Sequence, residues 1–223
     1  MPQFYYVFFI FFPTLAALVA VYFHRGKTFH SFSKIDSQTL SGGAQAAKLI
    51  LDSEHLFDVR IERLDRGTHS RYSLQKKTVM LSPFDYDSRS FTAIGRAQHE
   101  TGHALQHMEG SVVLFLKSLL WPWLRPCGTL SLGLLPLSLM RSWRGLYAWG
   151  AIFFTGYMFF ALLIFSLEVN ASRQINAKLV ELQVLPPQEL RLVEKVLEAA
   201  ALGCLVSLFL PFEKLRIRHA AQS

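Results

Sequence analysis

Apolar residues in this chain gather into long blocks on either side of one polar stretch, and several blocks have membrane length. Positions 4–23 form an apolar run without a charged residue, as long as a helix that crosses a bilayer. Pro13 inside it is compatible with such a helix. No basic residue precedes the run, so it reads as a retained anchor rather than a cleaved leader. Arg25 and Lys27 follow at once and assign the next residues to the cytoplasm. Further on lie 111–139, broken by Pro122, Pro126 and Pro136, then 146–167, then a shorter run at 196–212 ahead of a basic tail (Lys214, Arg216, Arg218). The pattern alone leaves open whether 196–212 crosses a bilayer or is a short buried or re-entrant helix.

The polar stretch 24–110 has mixed periodicity. A short helix is expected over 41–53 after a Ser start. Alternating Val59 and Ile61 predict a strand over 58–64, and a second is expected at 78–81. Ser82-Pro83 ends that strand, and Asp87-Ser88 are placed to cap a helix over 91–107. A small sheet beside that helix offers an edge on which an extended peptide can pair. The division is therefore an anchor (1–23), a polar region (24–110), two spans (111–167), a helix opened by Glu168 (168–195), and a C-terminal apolar helix with its tail (196–223).

Composition sharpens this picture. Half of the 223 residues are apolar and the formal charge is +7, with a positive mean hydropathy of +0.26. The basic residues are interleaved with acids and form no stripe with stacking aromatics, which argues against a nucleic-acid partner and for contact with anionic lipid headgroups. Two cysteines, Cys127 and Cys204, both sit in apolar runs. They read as core or lipid-facing residues, too few for a disulfide framework.

The chemistry lies in Ala97-Gln98-His99-Glu100-Thr101-Gly102-His103-Ala104-Leu105-Gln106-His107. Histidines at i and i+4 share a helix face about 6 Å apart and reach one ion. Glu100, rotated by about 100° from His99, stands beside the ion rather than on it. This is the H-E-x-x-H pattern, in which two histidines bind zinc and the glutamate acts on water.

A catalytic zinc takes a third protein ligand. Glu168, at the end of the 146–167 run, is the candidate, because an ionisable residue at a membrane boundary is a functional suspect by default. It shares a membrane side with the histidines only if 111–167 crosses an even number of times, and two crossings satisfy this. His107 is the rival, but it lies about 12 Å along the helix axis from His99, too far for all three histidines to share an ion.

These segments together resemble the bacterial membrane-bound neutral zinc metallopeptidases (YugP-like), which are distantly similar to the HtpX-type and CAAX-processing membrane proteases. The likeness runs through Ser41-Gly42-Gly43-Ala44, Lys48-Leu49-Ile50-Leu51, Asp58-Val59, Leu81-Ser82, Arg89-Ser90, the His99–His103 motif, Glu168-Val169-Asn170-Ala171-Ser172-Arg173 and Val196-Leu197-Glu198-Ala199-Ala200-Ala201-Leu202. The resemblance implies a mostly α membrane protein with a small α+β, zincin-like catalytic region. It implies one zinc ion on His99, His103 and Glu168, with Glu100 as general base, in a gluzincin-like metallopeptidase. Asn170 or Ser172 is expected to orient a ligand histidine. Arg173 is an oxyanion candidate, and His107 is a second candidate supporting residue. The expected partners are a peptide or membrane-protein substrate and the lipid bilayer, with no nucleic acid. The expected location is the bacterial inner (cell) membrane, catalytic region toward the cytoplasm. A non-catalytic metal-binding membrane adaptor, or a degenerate protease homologue, is the alternative reading.

Overall fold

The computed structural model describes residues 5–141 and 144–209. It is mostly helical, with one small sheet. A π-helical turn, Val7–Phe11, leads into α1 (Phe12–Phe32). Then come α2 (Gly43–Ser53), β1 (Arg60–Arg63), β2 (Arg71–Ser73), β3 (Thr78–Leu81) and the short α3 (Pro83–Asp87). The motif helix α4 (Phe91–Met108) is followed by α5 (Val112–Arg141), α6 (Arg144–Leu182) and α7 (Pro187–Phe209).

The sheet order is β1-β3-β2, with β1 parallel and β2 antiparallel to β3. β3 holds the centre because its Thr78, Val79 and Leu81 are buried. β2 is an edge strand the periodicity did not reveal: it has three residues, of which only Tyr72 is apolar and buried.

Helix α4 is bounded by clear local chemistry. Its N-cap is Ser90, not Asp87 or Ser88: the Ser90 hydroxyl accepts from the Ala93 N–H at 3.3 Å. Asp87 instead closes α3, which Ser82 caps. At the other end Gly110 takes a φ of +73°, which glycine adopts without strain. There the Ser111 N–H reaches the Gln106 carbonyl at 2.9 Å and Gly110 that of His107 at 3.1 Å, a Schellman closure. Nearly every residue from Phe91 to Gln106 is buried, because α2, α6, α7 and the sheet all pack on this helix. Buried polar groups on it find backbone partners: Gln98 donates its amide nitrogen to the Ala46 carbonyl at 2.8 Å and Thr101 its hydroxyl to the Ala97 carbonyl at 2.9 Å.

The helix expected to begin at Glu168 does not begin there. Residues 144–182 form one continuous helix, and Glu168 lies inside it. No proline or glycine interrupts 157–182, so the change from apolar to polar composition alters what the helix faces without ending it. The last helix likewise starts earlier than the apolar run, at Pro187. Among the described residues, two helices are long and apolar enough to cross a membrane, Val7–Phe32 and Arg144–Leu182. Helix α5 keeps Pro122, Pro126 and Pro136 inside it and packs along α6. The approach is close at Gly128, where a Cβ would stand 2.6 Å from the Tyr157 ring. The Cys204 side chain, residues 142–143 and the basic tail lie outside the described residues.

Two cores result. One joins α2, the sheet, α4 and the polar half of α6 through Ile50, Val79, Leu81, Ile94, Ala97 and Ile175. The other joins the N-terminal helix to α5 and the apolar half of α6 through Phe11, Leu135, Phe154 and Tyr157. The motif meets α6 where these two cores adjoin.

Candidate metal centre

His99, Glu100 and His103 come from the middle of α4, and Glu168 comes from α6, which crosses it. The crossing is tight because Gly102 faces Ala171: a Cβ on Gly102 would stand 2.9 Å from the Ala171 carbonyl oxygen. His99, His103 and Glu168 are all buried, and one donor atom from each lies within 4.8 Å of the others. Glu168 Oε2 is 2.8 Å from His99 Nε2 and 3.3 Å from His103 Nε2.

The far side of each imidazole fixes its tautomer. Gln106 donates its amide nitrogen to the Leu167 carbonyl at 3.0 Å, so its Oε1 accepts from His103 Nδ1–H, also at 3.0 Å. Ser172 donates its hydroxyl to the Leu197 carbonyl at 3.0 Å, so its Oγ accepts from His99 Nδ1–H at 3.1 Å. With both protons on Nδ1, both Nε2 atoms present lone pairs. Each then faces a carboxylate oxygen, acceptor against acceptor, a set that a shared cation or a further proton on Nε2 reconciles. Two neutral imidazoles and one carboxylate are the donors that zinc takes.

Lys117, from the first turns of α5, also reaches this cluster. Its Nζ hydrogen-bonds Glu168 Oε1 and stands 3.4 Å from His103 Nε2. Neither Lys117 nor Gln106 was singled out in the sequence, although both left a signal. Gln106 follows His103 by three positions, on the same helix face. Lys117 is a charge inside an apolar run, which at bilayer depth costs about 3 kcal/mol unless it finds a partner.

Glu100 is half-buried one position along from His99. Its Oε2 accepts from the backbone N–H of Tyr72 at 2.8 Å, which ties it to edge strand β2. Strand β2 is held in turn by Asp85, a buried carboxylate that accepts from the hydroxyls of Ser70 and Ser82 and pairs with Arg96 at 3.1 Å.

The remaining candidates are placed elsewhere. Asn170 and Arg173 are exposed, since positions two and five after Glu168 turn away from the face that carries Glu168 and Ser172. His107 is not in the cluster: its Nδ1 pairs with the Tyr72 hydroxyl at 2.8 Å. Burial pushes the Tyr72 phenol up to about 12, with the charge of Asp58 adding to the rise.

Comparison with known proteins gives a consistent result. A family described as "Putative neutral zinc metallopeptidase" matches residues 5–215. A relative from Bacillus subtilis (strain 168), "Putative membrane protease YugP", is 34% identical over 209 residues, covering 89% of this chain and 91% of that protein. No solved structure matches.

Proposed function

The chain belongs to the putative neutral zinc metallopeptidase family, and we propose that it is a membrane-embedded, gluzincin-like peptidase hydrolysing peptide bonds with one zinc ion on His99, His103 and Glu168. The observation that carries this reading is the donor set, in which two imidazoles with their Nε2 lone pairs exposed converge on one carboxylate oxygen.

Bound zinc supplies an acidified water and a Lewis acid for the scissile carbonyl. The protein's own groups do the rest. Ser172 and Gln106 hold the imidazoles in the tautomer and orientation that present Nε2. Glu100 takes the proton of the water and returns it to the leaving amine. The Tyr72 N–H anchors its Oε2 and leaves Oε1 for that transfer. Because Tyr72 lies on an edge strand, an extended substrate chain pairs alongside it, beside Glu100.

The membrane assignment rests on the relative's name, the two apolar helices and the exposed side chains they carry. Phe9 and Phe159 are 72% and 66% exposed, and Phe8, Phe23, Ile152 and Leu162 are exposed with them, an apolar area that belongs against lipid. Helix α5 is not one of those two helices, but it packs along α6, and on this reading the pair crosses as a hairpin that returns Glu168 to the side of the histidines. Arg25 and Lys27 set that side as the cytoplasm, at the bacterial inner membrane. The substrate class is a peptide segment of a membrane protein or a peptide at the membrane surface.

Metal analysis of detergent-purified protein tests the reading. Wild type and Glu100→Gln are expected to hold about one zinc per chain, and Glu168→Ala to hold none. Cleavage of an unfolded reporter protein is expected in wild type and lost in Glu100→Gln. Zinc retained in full by Glu168→Ala, or cleavage by Glu100→Gln at the wild-type rate, would overturn the assignment.

A further inference from the structure

We infer that Lys117 is a positioning residue for the metal ligand Glu168, taking one carboxylate oxygen so that the other alone is presented to the histidines. The inference rests on the zinc-site reading above and extends it to a helix that the motif does not contain.

The two oxygens of Glu168 are already divided. Oε1 is held by the Lys117 ammonium, whereas Oε2 lies 2.8 Å from His99 Nε2 and 3.3 Å from His103 Nε2. Glu168 is almost wholly buried, at 3% exposure. With so little solvent to compete, a charge-assisted bond to one oxygen fixes the rotation of the whole carboxylate.

Helix α5 delivers that ammonium for a reason visible along its first turns. Val112, Phe115 and Leu119 are exposed, whereas Leu114 is buried at 3%. Lys117 follows Leu114 by three positions and so shares its inward face. The Schellman closure at Gly110 and Ser111 sets the angle between α4 and α5, so the helix end just beyond His103 also aims Lys117. A lysine in a mostly apolar run thus stands at the carboxylate of the site.

The consequence is the ligand mode of Glu168. With Oε1 occupied, the carboxylate offers an ion one oxygen. Without Lys117, both oxygens are free to chelate, and the ion gains a donor.

Cobalt(II) in place of zinc reads this directly, because its visible absorption is strong in four-coordinate sites and weaker when a fifth donor is added. Wild type, Lys117→Met and Lys117→Arg are purified in detergent, checked for helical content by circular dichroism, and titrated with cobalt. The expected result is a several-fold weaker and shifted absorption in Lys117→Met at unchanged stoichiometry, with the wild-type spectrum restored by Lys117→Arg. If the Met variant does not fold, Lys117→Leu, which likewise has no donor for Glu168 Oε1, takes its place and carries the same expectation. A neutral variant whose spectrum superimposes on wild type overturns the inference while leaving the metal site standing. So does Lys117→Arg altered in the same way as the neutral variant. A wild-type protein that binds neither cobalt nor zinc overturns the metal site and this inference together.

Discussion

Gly102 and Ala171 are where the motif helix and the ligand helix touch backbone to backbone, and no side chain fits between them. A Cβ on Gly102 would meet the Ala171 carbonyl oxygen at 2.9 Å and Ile175 at 3.1 Å. Gly102→Ala gains helix propensity of about 1 kcal/mol but overpacks the crossing, at a cost of about 1–3 kcal/mol. The cost is backbone against backbone, so it dominates. Thermal unfolding in detergent is expected to show a lower midpoint, and zinc content is expected to fall because Glu168 is pushed off the histidines.

Gln106 and Ser172 predict a second effect, on affinity rather than folding. Gln106→Leu leaves His103 Nδ1 and the Leu167 carbonyl without their partner, and zinc affinity is expected to drop by about 10–100-fold. Ser172→Ala acts in the same way on His99. Asn170→Ala and Arg173→Ala, whose side chains are exposed, are expected to leave affinity unchanged. Competition with a chromophoric chelator separates the two groups.

Tyr72 makes a prediction at alkaline pH. Its phenol is pushed up to about 12 from 10.0, mainly by burial. A raised acid keeps its proton longer in the folded state, so the stabilisation it contributes is complete below pH 10 and is lost between 10 and 12. Phenolate absorbance is expected to show one tyrosine titrating near 12 in wild type and missing in Tyr72→Phe. The variant should also lose less stability than wild type across that interval.

Gly43 tests the support behind Glu100. A Cβ there would lie 2.1 Å from the Asp85 carbonyl oxygen and 2.8 Å from Ala97 Cβ. Gly43→Ala therefore displaces either α4 or the segment whose Asp85 side chain holds β2. A loss of about 3 kcal/mol is expected, read as a lower unfolding midpoint. If that midpoint is unchanged, the close packing of α2 on α4 is disproved.

Local chemistry wrote some elements plainly into the sequence and left others to the tertiary structure. β3 was legible to the residue, Thr78–Leu81, because a buried run ends at Ser82-Pro83. β2 was not, because three residues paired only across the sheet carry no period of their own. The start of α4 at Phe91 was legible, but its cap was placed at Asp87-Ser88 because two capping sequences follow each other, and only the fold shows that Ser82 and Ser90 are the caps. The burial of α4 on nearly all sides was not legible, because it comes from the helices and sheet that pack around it. At the site, His99, His103 and Glu168 were legible by type and spacing, and the structure brings them together. Ser172 was separable from Asn170 and Arg173 only by knowing that α6 continues through Glu168. That continuity puts positions 168 and 172 on one face and 170 and 173 off it.

His99 and Glu168 stand 69 residues apart, and this separation sets an order in time. A chain made from its N-terminus carries both histidines and Glu100 well before the carboxylate exists, so the early portion has a motif but no complete donor set. The set closes only when α6 has been made and docked across α4 at Gly102. If the set binds zinc as proposed, capture of the metal would come only after the second half of the molecule is in place.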